Sequence, residues 1–157
     1  VEEEGLFGDA RVPDQKELAE FIGKQFGEEL DKSNRFEVPD VLIPIPLHKN
    51  KLKARGYNQS EWFAKGLSTS LNKPVEIGVL ERITDTSTQT KKKKYQRWEN
   101  VEGIFQLNQP ELLRNKHILL IDDVITTGAT IEAAWQALKH VGGIKLSVAS
   151  IAFAAKQ

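Results

Sequence analysis

The sequence predicts an α/β fold, a mostly parallel sheet flanked by helices. Short apolar runs of β-rich composition alternate with segments of helical spacing. The clearest apolar run, His117-Ile118-Leu119-Leu120-Ile121, reads as a buried strand, as expected where helices cover both sheet faces. A helix-spaced segment follows it and meets Gly142-Gly143, a C-terminal stop. The length, 157 residues, suits one domain spanning 1–157.

Taken in order, residues 1–40 form an acidic, helical N-terminal portion. Twelve acids face five bases there, a balance of −7. Leu18, Phe21, Ile22, Phe26 and Leu30 recur at helical spacing, so 15–31 reads as an amphipathic helix, with Asp14 as N-cap after Pro13. Val41 to Ile45 reads as a buried strand that stops at Pro44 and Pro46, which cannot donate to a ladder. Asn58 to Leu71 returns to helical spacing through Trp62, Phe63, Leu67 and Leu71, and Asn58 can cap it. Val75 to Leu80 is a second strand candidate, and Gly103 to Leu107 another. Thr84 to Asn100 is long, polar and without apolar period, which marks a functional or disordered loop. Thr130 to Val141 is helical, with Ile131, Ala134, Trp135, Leu138 and Val141 on one face, and Lys145 to Phe153 closes as a strand. Trp62 and Trp135 are expected in the core.

Composition removes whole classes of chemistry. There is no cysteine, hence no disulfide framework, iron–sulfur cluster, zinc ribbon or thiol nucleophile. His48, His117 and His140 show no metal spacing. No apolar run is long enough for a membrane helix, and no secretory pattern opens the chain, so a cytoplasmic location without membrane insertion is expected. The chain begins at Val1 and holds no methionine, as a fragment would. Lysine plus arginine equals aspartate plus glutamate at 22 each, yet 48–56 and 86–98 carry bases and no acids. Local basic segments in a neutral chain suggest a small anionic ligand or a limited nucleic-acid contact.

The sharpest signal runs from Ile118 to Thr130. A buried strand ends in two carboxylates, Asp122 and Asp123; beyond Val124 and Ile125 a short turn of Thr126, Thr127 and Gly128 follows, and a helix opens with Ala129 and Thr130. Helix-start N–H groups, threonine hydroxyls and a glycine that allows close approach make a phosphate cradle. Carboxylates beside it can accept hydrogen bonds from hydroxyls. A phosphate beside a diol describes a sugar phosphate. The plainer alternative is a turn capped by Asp and Thr, but two acids, three threonines and a glycine in one register exceed what capping needs. No Walker or dinucleotide glycine pattern is present.

DDVITTGAT after an apolar strand resembles the phosphoribosyl-pyrophosphate (PRPP) motif of type I phosphoribosyltransferases. IPIPLHKNKLKARGYNQS, residues 43–60, resembles the P-V-P-L-H…R-G-[FY]-N-Q segment of the ComF family, the competence protein F-like proteins. Arg82, Thr88-Gln89, Arg97, Asn100-Val101 and Phe105 resemble that family's R…T-x-x-Q…R-x-x-N-V-x-x-[AI]-F segment. The three blocks stand in family order across most of 41–143. Many members begin with a cysteine-rich zinc segment; with no cysteine here, no metal-ligand role transfers.

The resemblance implies a type I phosphoribosyltransferase-like fold in which Asp122 and Asp123 hold the ribose hydroxyls and Thr126 to Thr130 cradle the 5′-phosphate. Pro46, Leu47, His48 and Lys49 would approach the pyrophosphate, with Arg55 adding charge. Thr84 to Asn100 would be a hood, with Arg82, Lys91 to Lys94 and Arg97 as pyrophosphate contacts. Mg²⁺ would be held mainly by PRPP itself. The acceptor is unknown. A competence role leaves open contact with DNA-uptake machinery or single-stranded DNA, for which Tyr95 and Trp98 beside the lysines offer stacking rings. The lysine run also reads simply as a solvated charge run. Homo-oligomer formation stays open.

Overall fold

The computed structural model describes residues 14–84 and 103–154. The elements are α1 (Gln15–Ser33), β1 (Val41–Pro44), α2 (Lys49–Arg55), α3 (Gln59–Leu71), β2 (Leu80–Arg82), β3 (Phe105–Leu107), β4 (His117–Ile125), α4 (Ala129–Leu138) and β5 (Lys145–Phe153). A 3-10 turn, Pro110–Leu113, leads into β4.

The strands β1, β4 and β5 form a parallel sheet in the order β1-β4-β5. Register runs Val41 to Ile118 and Pro44 to Ile121 on one side, and His117 to Lys145 and Ile125 to Phe153 on the other. β2 and β3 form a separate antiparallel pair. The α/β expectation with a parallel sheet and flanking helices therefore holds.

Alternation along the strands divides the core in two. Leu42, Leu119, Ile121 and Ala149 pack with Ala19, Phe63, Ala64 and Leu67 of α1 and α3. Val41, Ile43, Ile118 and Leu120 pack with Ala133, Ala134 and Leu138 of α4 and with Leu80 and Phe105 of the β2–β3 pair. β4 is thus covered on both faces, which explains its unbroken apolar run.

Helix starts follow their caps. Asp14 accepts from the Glu17 N–H at 2.9 Å while Glu17 accepts from the Asp14 N–H at 3.2 Å, a reciprocal capping box. Asn58 caps α3 through Ser60 at 3.1 Å and donates its side-chain amide to Ile45 O at 2.9 Å, tying the helix start to the end of β1. His117 is buried at the base of β4. Its N–H donates to Asp40 Oδ2 at 2.8 Å, and its Nε2 lies 2.8 Å from Ser147 Oγ.

Several sequence expectations change. The α1 stripe Leu18-Phe21-Phe26 is exposed; the buried line is Ala19, Gly23 and Gly27. Small residues let α1 approach α3 more closely than a leucine stripe would allow. Trp135 is also exposed, beside the buried face of α4, and Trp62 is half-buried under the Lys65 ammonium. Val75 to Leu80 is not one strand: Val75 forms a lone bridge to Leu42, and β2 begins at Leu80. Residues 49–55, within the basic segment that follows β1, are a short helix with no buried residue. β4 continues through Ile125, because Val124 and Ile125 still pair with Ala152 and Phe153. α4 ends at Leu138, ahead of Gly142-Gly143: the last helical bond is Lys139 N–H to Trp135 O at 2.8 Å, and the Val141 N–H then turns to Leu138 O, three residues back, at 2.9 Å.

Candidate functional site

The carboxyl end of β4, the turn that follows it and the start of α4 enclose an open recess. Asp122, Val124, Ile125, Thr126, Thr127, Gly128, Ala129, Thr130 and Ile131 line it. The sequence motif therefore closes into one concave surface, at the strand ends where open α/β sheets bind ligands.

Gly128 makes the turn possible. Its φ is +80°, a left-handed conformation that side chains with a Cβ adopt only at a cost. A Cβ built there would meet no protein atom within 4 Å, so the glycine faces open space. The Ala129 N–H makes only a long contact of 3.4 Å to Thr127 Oγ1. The first-turn N–H groups of α4 have no partner within the helix and can receive an anion.

Asp122 and Asp123 differ in position. As consecutive strand residues they point to opposite sheet faces. Asp122 shares the α4 face with Ile118 and Leu120, is only 8% exposed and lines the recess. Asp123 is half-buried and is not among the lining residues. Asp122 Oδ1 accepts from the Asp123 N–H at 3.0 Å, and Asp123 Oδ1 accepts from the Val124 N–H at 2.8 Å. Burial, reinforced by the neighbouring Asp123 charge, pushes the Asp122 carboxyl up to about 6. The Arg82 guanidinium opposes that rise.

Arg82 belongs to β2, which packs on the α4 side of the sheet. Its guanidinium carbon lies 5.5 Å from the Phe105 ring centre, and its charge reaches Asp122. The fold thus brings Arg82 to the acidic site across a wide separation in sequence.

The segment after β1 leads into α2. Pro46, Leu47 and His48 are half-buried, and His48 caps α2 by accepting from the Asn50 N–H at 3.3 Å. Lys49 Nζ lies 3.2 Å from Glu81 Oε1, linking α2 to β2. Arg55 donates to Gln59 Oε1 at 2.8 Å and lies 5.2 Å from the Tyr57 ring centre. None of Pro46, Leu47, His48, Lys49, Arg55 and Arg82 lines the recess itself. Residues 85–100 of the expected hood, with Lys91 to Lys94 and Arg97, lie outside the described residues.

Sequence reasoning missed Ile131 as a lining residue, the Glu81 partner of Lys49, and Phe105 beneath Arg82. Ile131 could have been found from its place one residue beyond the motif; the other two depend on the β2–β3 pairing. Among the described residues no group of three His, Cys, Asp or Glu could hold a metal, and no helix is long and apolar enough to cross a membrane.

Known proteins resemble this chain in sequence and in fold. The phosphoribosyl transferase domain family matches residues 58–157. Competence protein F of Haemophilus influenzae is 29% identical over 122 residues, covering 77% of this chain and 53% of that protein. Competence protein ComFC of Bacillus subtilis is 37% identical over 102 residues, covering 65% of this chain and 39% of that protein. The chain spans about half the length of the first of these relatives and less of the second. Among solved structures, a hypoxanthine phosphoribosyltransferase from Staphylococcus aureus has a TM-score of 0.55 at 18% identity, covering 90% of this chain and 68% of that one. At that identity the likeness is one of fold.

Proposed function

The chain belongs to the phosphoribosyl transferase domain family, in its ComF group, and from that premise we propose that it binds PRPP and transfers phosphoribose to an acceptor with release of pyrophosphate. One observation carries the reading. Buried Asp122 and the Gly128 turn line the same recess, an acceptor of hydroxyl hydrogen bonds beside an anion cradle.

In this proposal the α4 start and the hydroxyls of Thr126, Thr127 and Thr130 take the 5′-phosphate. Asp122 accepts from a ribose hydroxyl, and Asp123 supports it through the N–H it donates to Asp122. The carbon–oxygen bond from C1 to pyrophosphate then breaks, and the acceptor's lone pair forms the new bond and loses its proton to solvent. Charge develops on the departing oxygen, and C1 becomes oxocarbenium-like. Cations stabilise such a leaving group, and Arg82 and Lys49 are the described candidates. In this proposal a Mg²⁺ would be held mainly by the phosphates of PRPP itself, in keeping with the lack of any group of three acidic or histidine side chains that could hold a metal among the described residues. When bound, that ion would neutralise pyrophosphate charge. The proposal keeps the protein in the cytoplasm.

A second reading draws on the relatives' names, which speak of competence and DNA utilization. There the same pocket would be a PRPP-binding module without turnover, serving a DNA-handling assembly. Isotope exchange between pyrophosphate and PRPP, with candidate nitrogenous acceptors present, separates the two. Exchange supports the transferase. Binding by calorimetry without exchange supports the module. Absence of PRPP binding sinks both.

A further inference from the structure

The geometry points to the outer edge of β5 as a self-pairing surface, on which a second copy of this chain adds its own β5 antiparallel about a two-fold axis. The two edges of the parallel sheet are dressed differently. At the β1 edge, the Leu42 N–H donates to Pro74 O and the Glu76 N–H to Leu42 O, both at 2.9 Å, so a neighbouring segment occupies it. The β5 edge has no such partner among the described residues, and β5 ends the strand order over nine residues.

Open edges are normally blunted by charge, proline, bulges or brevity. β5 uses none of these. From Leu146 to Phe153 it reads Leu-Ser-Val-Ala-Ser-Ile-Ala-Phe, with no charge, proline or glycine. Its one charged residue, Lys145, is engaged by Glu37. Val148 is 41% exposed and Phe153 69%, unusual for a parallel strand with helices on both faces of its sheet.

Self-pairing requires that the strand complement its own reverse. Centred on Ala149, the pairs are Val148 with Ser150, Ser147 with Ile151 and Leu146 with Ala152, and no like charges oppose. The overlying helix supports the same axis. Ala19 of α1 belongs to one cluster with Ala149, and Ile22 and Ile151 pack against that cluster. Leu18 and Phe21, next to these in sequence, are exposed, Phe21 by 60%. A two-fold at Ala149 brings this turn of α1 against its counterpart, so strand and helix are covered in one event.

The test is sedimentation equilibrium of the full chain, whose monomer is 17.7 kDa. The wild type is expected to be a concentration-dependent dimer. Val148→Lys and Phe21→Glu should each raise the dissociation constant at least about tenfold, the scale set by losing one central interface residue, with circular dichroism unchanged. Ile77→Glu, exposed elsewhere, should leave it unchanged. If Val148→Lys loses the fold, Phe153→Lys takes its place. A wild type that stays monomeric overturns the proposal; protected β5 amides in that monomer would assign the edge to another segment. A dimer that keeps its affinity in Phe21→Glu, or in the folded strand variant, overturns it as well.

Discussion

Gly23 of α1 and Gly66 of α3 meet backbone against backbone. A Cβ on Gly66 would stand 2.0 Å from Glu20 O, and one on Gly23 2.2 Å from Phe63 O. Neither obstacle is a side chain that can swing away. The contact fixes how α1 lies over the sheet, and so sets the position of Gln15, which accepts from the Tyr57 hydroxyl just ahead of α3.

Gly66→Ala is therefore expected to destabilise the protein. Alanine gains about 0.5–1 kcal/mol in helix propensity, but overpacking costs about 1–3 kcal/mol, and a backbone obstacle places this site at the upper end. Urea denaturation should show a lower midpoint. A midpoint equal to or above wild type would mean that the helices part easily and that the contact does not set their spacing.

Asp122 and Asp123 should separate in binding. A hydrogen bond to a charged group contributes about 1.5–3 kcal/mol. Asp122→Asn should thus weaken PRPP at least about tenfold, and the double change to asparagine at least as much. Asp123→Asn alone should cost less, since Asp123 does not line the recess. Calorimetry that ranks Asp123 above Asp122 would reverse the assignment.

The acid environment of Asp122 predicts a pH signature. Its carboxyl sits at about 6 in the fold against 3.8 for the ordinary group, so the folded chain binds the extra proton. That contribution to stability is present below about 4 and is lost as pH rises through about 6. Asp122→Asn should then stabilise the ligand-free protein at pH 8 more than at pH 4. PRPP binding, which uses the ionised form, should strengthen from pH 5 to 7 and release a proton. Binding with no proton release across buffers of different ionisation enthalpy in that range would contradict it.

Gly128→Val should abolish PRPP binding and leave a folded protein. No protein atom lies within 4 Å of the added Cβ, so the side chain enters the space proposed for the phosphate. The φ of +80° adds a local cost of about 1–3 kcal/mol. Circular dichroism checks the fold and calorimetry the binding; parent-like affinity would falsify the cradle.

Arg82→Gln tests the charge that crosses from β2. Without the guanidinium, Asp122 should be harder to ionise, because the Arg82 charge, after the hydrogen bond from the Asp123 N–H, opposes its upward shift. The pH at which PRPP binding strengthens should move up, and affinity at pH 7 should fall. An unmoved profile would detach Arg82 from the acidic site.

What the sequence determined by itself was local. Asp14 and Asn58 cap helices through N–H groups two or three residues away, and His117 to Ile121 form a strand from composition alone. Strand, turn and helix start of the Asp122–Thr130 motif were legible for the same reason, because they are neighbours in the chain. Tertiary structure decided what depends on distant partners. Leu18 and Phe21 lost the buried face of α1 to Ala19, Gly23 and Gly27 because α3 presents Gly66, and close approach rewards the smaller residues. Val75 was drawn to β1 while Leu80 paired with Leu107, which split an expected strand. The inequality of Asp122 and Asp123 came from strand alternation beneath α4, which buries one carboxylate in the recess and turns the other to the opposite face.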